Sequence, residues 1–316
     1  TGRRRGRVAR RDRERPAGMS EANPAMHRCG HVAIVGRPSV GKSTLVNRLV
    51  GQKLTITSSK PQTTRYRIVG ILTEPGRQFV FVDTPGFQTL HRSRLNERMN
   101  RTVIDSLAGV DVAVLVVDGG RLTQVDRNVA ALLPVGLPVV VAVNKVDTLA
   151  DKKALLPVMA EIASLHEFAA IVPVSAEKGT QVNALKEEVG KLLPEAPPMY
   201  GADELTDRDE RFLAAEFIRE KIFRLLGAEV PYATAVGIDR FEHDGPVRRI
   251  FASVYVDRAS QRAILLGAGG ERMKSIGAAA RRDLETLFGG RVYLEVWVRV
   301  KKGWADDEAA LRRLGL

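Results

Sequence analysis

HVAIVGRPSVGKSTLVNRLV, residues 31–50, opens on an apolar run, turns through a loop holding two glycines, and continues with helix-forming residues. The loop GRPSVGKS at 36–43 fits G-x-x-x-x-G-K-[ST]. In that pattern backbone N–H groups at a helix start wrap a phosphate, which the positive end of the helix also attracts. Gly36, Arg37, Pro38, Ser39, Val40 and Gly41 form the wrap, and Thr44 lies in the first helical turn. Lys42 brings a positive charge to the outer phosphates and Ser43 a hydroxyl for Mg²⁺. Gly36 and Gly41 alone would be ordinary turn residues. The preceding strand and the following Lys42–Ser43 pair make the loop a nucleotide site.

Outward from this loop, short β-branched runs alternate with amphipathic stretches as far as Leu193. The strand candidates are HVAIVG (31–36), RQFVFVD (77–83), VAVLVVD (112–118), PVVVAVN (138–144) and AAIVPVS (169–175). Runs that are apolar on successive residues belong to strands covered on both faces, and helices between them supply the crossovers. The fold class is therefore α/β with a doubly wound sheet, and ligands bind beyond the carboxyl ends of its strands.

The polar signatures sit at those ends. DTPG at 83–86 closes the second run, where Asp83 can reach a magnesium-bound water, Thr84 and Pro85 carry the turn, and the Gly86 N–H faces the terminal phosphate. In NKVD at 144–147, Asp147 offers two acceptors to guanine N1–H and its exocyclic amine. Asn144 braces the loop and the Lys145 stem lies along the purine. Adenine presents an acceptor where guanine has N1–H, so the carboxylate disfavours ATP. SAEKG at 175–179 places Ser175, Ala176 and Glu177 at the base, with the Ala176 N–H available to guanine O6.

In this order the motifs resemble those of the translation-factor-like GTPases. The resemblance makes Thr64 of SSKPQTTR (58–65) the Mg²⁺ ligand of a mobile loop, with Thr63 a neighbouring candidate. Lys42, Thr64 and Gly86 are then the catalytic residues, and GTP/GDP and Mg²⁺ the cofactors. Many such enzymes follow DTPG with a glutamine that orients water. Here Phe87 stands there. A phenyl ring makes no hydrogen bond to water, so slow intrinsic turnover is expected.

The proline-rich, acidic stretch PEAPPMYGADELTD (194–207) reads as a linker. Beyond it, 209–226 is helical, 232–241 and 247–257 are strands, 259–266 and 270–288 are helices, and 291–301 is a half-buried strand. The glycine cluster GAGG at 267–270 joins two helices beside a three-stranded sheet, which resembles a type II KH domain. There the backbone of a G-x-x-G loop approaches RNA phosphates. Residues 262–302 hold nine Lys or Arg against four acids, a net +5. The RNA-binding candidates are Gly267, Ala268, Gly269, Gly270, Arg272, Lys274, Arg281 and Arg282. Ile264 and Ile276 form either an apolar platform for bases or part of the core. Tyr293 and Trp297 share one strand face and are expected in the core.

A GTPase followed by a type II KH domain resembles the Era family of ribosome-assembly GTPases. The likeness covers about residues 30–316, including QTTR and the ending VWVRVKKGWADDEAALRRLG. Ser39, where that family more often has Asn, and the arginine-rich leader depart from its pattern. The resemblance implies 16S ribosomal RNA, bound near its 3′ end, and the small ribosomal subunit as partners. It also implies work in the cytoplasm as a monomer, with peripheral membrane association sometimes attributed to the family. The expected units are a leader at 1–28, a GTPase domain at 29–193, a linker at 194–207 and a KH domain at 208–316.

Composition bounds these readings. The chain has 316 residues and a formal net charge of +12, which attracts polyanions. Half of that charge lies in residues 1–18, where eight arginines face Asp12 and Glu14. With almost no large apolar residue, this stretch reads as an unstructured arm or as an extension ahead of a start at Met19 or Met26. The single cysteine, Cys29, excludes a disulfide framework. No apolar stretch approaches the roughly 18 residues of a membrane span.

Overall fold

The computed structural model describes residues 27–58, 60, 63–87, 94–227 and 230–304. The leader reading, part of SSKPQTTR and the last twelve residues of the C-terminal ending (305–316) lie outside the described residues. The first unit is a six-stranded sheet of β1 (Arg28–Val35), β2 (Ile68–Glu74), β3 (Arg77–Asp83), β4 (Val112–Asp118), β5 (Val139–Asn144) and β6 (Ala170–Pro173). Their order is β2-β3-β1-β4-β5-β6. All pairings are parallel except β2 with β3. The strands β4 and β5, apolar up to their last residues Asp118 and Asn144, lie inside the sheet, covered on both faces. One face packs Leu45, Val46, Leu49, Leu185 and Val189, the other Val103, Leu107, Val129 and Ile162. Helices α1 (Lys42–Val50) and α5 (Val182–Leu192) cover the first face; α2 (Arg94–Leu107), α3 (Gln124–Ala130) and α4 (Leu155–Ala163) cover the second.

The sequence reading has no strand at 68–74. IVGILTE forms the antiparallel edge, turned onto β3 through Pro75 and Gly76, with Gly76 at φ 78°. A Pro-Gly pair between two apolar runs is a hairpin signal. Inside the sheet β1 sits between β3 and β4, so the chain connections diverge beside the loop that follows it. This is the switch point at which α/β sheets open a cleft.

PEAPPMYGADELTD lies on the first sheet. The Ala196 N–H donates to the His27 carbonyl, both Met199 and Tyr200 N–H groups donate to Gln78 Oε1, and the Ile71 N–H donates to Leu205 O. Tyr200 packs over Val69, Ile71, Val80 and Val82.

The second unit runs α6 (Glu210–Leu225), β7 (Thr234–Asp244), β8 (Val247–Val256), α7 (Ala259–Leu266), α8 (Glu271–Phe288) and β9 (Arg291–Val300). Strands β7 and β8 form a hairpin, and β9 pairs parallel to β8. A parallel partner requires a crossover, which α7 and α8 provide. Ile276 is fully buried in the core beneath the sheet, so it is no platform for bases, whereas Ile264 is exposed. Tyr293 and Trp297 also differ from expectation. They point away from the helices, 45% and 47% exposed, and arginines lie over both rings. Strand alternation explains this: Val292, Leu294, Val296 and Val298 take the helix-covered face.

Candidate functional site

Helix α1 starts without a side-chain cap. Gly41 holds its N-cap position at φ 99°, so the first N–H groups of the helix remain available to an anion. Lys42 is almost wholly buried, and its Nζ donates to Gly36 O at 3.0 Å and Arg37 O at 2.9 Å. Burial pushes its pKa down to about 8, against the attraction of Asp83. The loop after β3 lies alongside. Thr84 Oγ1 donates to Ile34 O at 2.7 Å, and a Cβ on Gly86 would stand 2.7 Å from Pro38 Cα. Only glycine lets these two loops touch. Pro85 is buried between them.

Ser43, Thr64 and Asp83 converge. Ser43 Oγ donates to Asp83 Oδ2 at 2.7 Å and lies 2.8 Å from Thr64 Oγ1. Asp83 Oδ1 is buried and accepts no hydrogen bond. Burial raises the Asp83 pKa to about 6, against the Ser43 hydrogen bond and the Lys42 charge. Two hydroxyls beside a carboxylate with a free oxygen are hard donors suited to Mg²⁺. Thr63, the alternative ligand, instead donates from Oγ1 to Lys60 O at 2.7 Å. Ser43, Thr63 and Thr64 line a cleft with Pro38, Ser39, Gly41, Thr44 and Gly86, and Asp83 lies buried behind Ser43.

At the base end, Asn144 Nδ2 donates to Val40 O at 2.8 Å, and Asn144 Oδ1 accepts the Ala176 N–H at 2.9 Å. The Ala176 N–H expected to serve guanine O6 is thus already engaged, and reaches the base only by sharing its proton. Lys145, at φ 67°, turns its Nζ to Asp118 Oδ2 at 2.9 Å, which leaves its stem extended along the loop. Asp118 also pairs with Arg37, which donates to buried Asp126. This network joins the phosphate loop to the base loop; Asp118 and Asp126 lie outside the usual motifs, so the sequence reading missed them. Asp147 is exposed, and no side-chain partner meets it among the described residues. Ser175 Oγ accepts the Lys178 N–H, and Arg48 holds the Ala176 and Glu177 carbonyls.

In the second unit, Gly267, Gly269 and Gly270 all take positive φ between α7 and α8. A Cβ on Gly269 or Gly270 would meet nothing within 4 Å, so the loop presents open backbone. Ala268, Arg272 and Lys274 are exposed at it, and Arg281 and Arg282 are exposed about three turns further along α8. Arg272 also donates to Ile264 O at 2.6 Å, tying α8 to the end of α7.

A doubly wound sheet with this cleft, carried on the same chain as an α-β-β-α-α-β unit with an open G-x-x-G loop, defines a P-loop GTPase joined to a type II KH domain. The 50S ribosome-binding GTPase family matches residues 31–145 and the KH domain family residues 229–305. A GTPase Era of Nitrosomonas eutropha is 53% identical over 289 residues, covering 92% of this chain and 98% of its own. One from Stenotrophomonas maltophilia is 52% identical over 298 residues, covering 94% and 99%. The crystal structure of an Aquifex aeolicus Era variant bound to GDP·AlF4⁻ superposes with a TM-score of 0.87 at 37% identity, covering 91% of this chain and 99% of that one. A structure of Era in complex with MgGDPNP and nucleotides 1506–1542 of 16S ribosomal RNA gives 0.87 at 38% identity, covering 92% and 99%. The chain belongs to the Era GTPase family, whose members hydrolyse GTP.

Proposed function

We propose that GTP or GDP lies with its phosphates along residues 36–44 and its base between 144–147 and 175–177, and that the KH unit binds 16S ribosomal RNA near its 3′ end during small-subunit maturation. The observation that carries the nucleotide reading is the convergence of Ser43, Thr64 and Asp83 at the mouth of the phosphate loop. Mg²⁺ there, held by the two hydroxyls and by Asp83 through water, neutralises charge on the phosphates. Lys42 meets the outer phosphates, the Gly86 N–H faces the terminal one, and Asp147 selects guanine. Phe87 is partly buried against the core on the α2–α4 face of the sheet and makes no side-chain hydrogen bond to water, so water is oriented by backbone and loop groups, and turnover is slow.

The RNA part rests on the open GAGG backbone, on the exposed cations Arg272, Lys274, Arg281 and Arg282 along the helix that follows it, and on the 16S fragment held by the related Era. In this reading the chain comprises units at 29–193 and 208–316 with 194–207 between them. It works as a cytoplasmic monomer, and any membrane contact is peripheral. Among the described residues no helix is long and apolar enough to cross a membrane. Two measurements on purified protein test the proposal: multiple-turnover phosphate release from GTP, and binding of an oligonucleotide from the 16S 3′ end. Single-turnover behaviour alone would favour a nucleotide-sensing RNA chaperone.

A further inference from the structure

Thr64 reaches the cleft from a loop held on both sides by the second unit. Before it, Arg219 of α6 donates from Nη2 to the Thr63 carbonyl at 2.5 Å. After it, Arg65 leaves the first unit altogether: Nη1 donates to Thr234 O at 2.9 Å and Nη2 to Tyr232 O at 3.1 Å. Earlier in the same loop the Thr57 N–H donates to Glu220 Oε1 at 3.0 Å. Lys60 Nζ donates to the carbonyls of Phe223, Leu226 and Gly227, at the end of α6, where unsatisfied carbonyls and the helix dipole favour a cation.

Arg219 is itself fixed. Glu216, one turn earlier, accepts from Nε and Nη2, both at 2.6 Å, and the side chains are 2% and 3% exposed. The Phe223 ring lies 5.3 Å from the guanidinium. Removing two charges from water is costly, and an apolar pair of similar volume often serves stability as well. The forked pair does something an apolar pair cannot. One Nη2 proton goes to Glu216, and the planar group then leaves the other a single direction, along which the Thr63 carbonyl sits.

We propose that Arg219, oriented by Glu216, is a positioning residue for GTP hydrolysis. It fixes Thr63, and through the chain it holds the Thr64 hydroxyl beside Ser43 and Asp83. This rests on reading those three residues as the metal-facing set. With Phe87 where a water-orienting amide would stand, the rate leans on how firmly the Thr64 loop is set. The phosphate loop and NKVD do not touch Arg219, so GDP affinity is independent of it. The KH unit thereby completes the GTPase site as well as binding RNA.

The test compares full-length wild type with Arg219→Ala, Arg219→Lys, Thr64→Ala and the double variant Arg219→Ala/Thr64→Ala. It reads single-turnover GTP hydrolysis, its Mg²⁺ dependence, and GDP affinity. Arg219→Ala should slow hydrolysis about 10- to 100-fold, as a misplaced reacting group does, raise the Mg²⁺ needed for half-maximal rate, and leave GDP affinity unchanged. Arg219→Lys keeps the charge without the fork and should stay slow; it carries the comparison should the alanine variant not fold. In the Thr64→Ala background, Arg219→Ala should add no more than about twofold, because residues acting through one group do not add. Wild-type hydrolysis by either Arg219 variant, GDP affinity falling in step with the rate, or full additivity in the double variant overturns the positioning role. Wild-type hydrolysis by Thr64→Ala would instead overturn the metal-facing reading beneath it.

Discussion

The side-chain amide of Asn144 donates to the backbone carbonyl of Val40 at 2.8 Å, so the end of β5 clamps the middle of the phosphate loop. Its oxygen accepts the Ala176 N–H, which makes one buried side chain the hinge pin of three loops. Asn144→Ala leaves a buried carbonyl and a buried N–H unpaired, each costing about 1–3 kcal/mol. Both GDP affinity and unfolding temperature should fall together, as measured by nucleotide titration and thermal melts. Gly41→Ala should resemble it, because the added Cβ would stand 2.3 Å from Asn144 Nδ2 at a backbone φ of +99°.

Asp147 decides the base. Asp147→Asn replaces one guanine-facing acceptor by a donor, so preference should move from GTP toward xanthosine triphosphate, whose ring carries oxygen in place of the amine. Competition binding with the two nucleotides checks this. Retained GTP affinity with no gain for the xanthine nucleotide would remove Asp147 from the base pocket.

Two buried groups bracket the working pH. Asp83 ionises only near pH 6 and Lys42 loses its proton near pH 8. Metal binding needs the carboxylate ionised, so Mg²⁺ affinity should be flat above pH 6 and fall about tenfold per unit below it. Phosphate binding needs the ammonium, so nucleotide affinity should be flat below pH 8 and weaken as pH rises beyond it. Stability follows opposite signs. Asp83 binds its proton more tightly folded than unfolded, so its contribution declines as pH rises from about 4 to 6, whereas that of Lys42 grows between about 8 and 10.5. Nucleotide titrations across pH 5–9.5 should therefore show a plateau between those two limits.

The nucleotide loops were legible because each is a short contiguous motif at a strand end, where sequence neighbours are spatial neighbours. The edge strand IVGILTE was not, despite its Pro-Gly turn signal, since its apolar residues alone do not distinguish strand from helix. The contacts of α6 were less legible still. Glu216, Arg219, Glu220 and Lys221 occupy positions that local periodicity assigns to a solvated face, yet all four are buried, Arg219 against Thr63, Glu220 against Thr57 and Lys53, and Lys221 against Asp283 of α8. Only partners distant in sequence explain them. Tyr293 and Trp297 were misplaced for the converse reason: aromatic character suggests a core, while strand alternation had already given the inner face to valines and a leucine.

The RNA surface predicts the last result. Replacing Ala268 and Gly269 by Asp sets two carboxylates on the open loop between α7 and α8, where a phosphate would pass. Ala268 is exposed and a side chain at Gly269 meets no protein atom within 4 Å, although its φ of 57° makes the aspartate there mildly strained. Affinity for an oligonucleotide from the 16S 3′ end should fall, and the salt dependence of binding should flatten as phosphate contacts are lost. GTP hydrolysis without RNA should persist, because GAGG lies outside the residues that line the cleft and outside the α6 contacts to the Thr64 loop. A variant with wild-type circular dichroism that binds the oligonucleotide as tightly as the parent would reduce GAGG to a helix turn and move the RNA site elsewhere on the basic face.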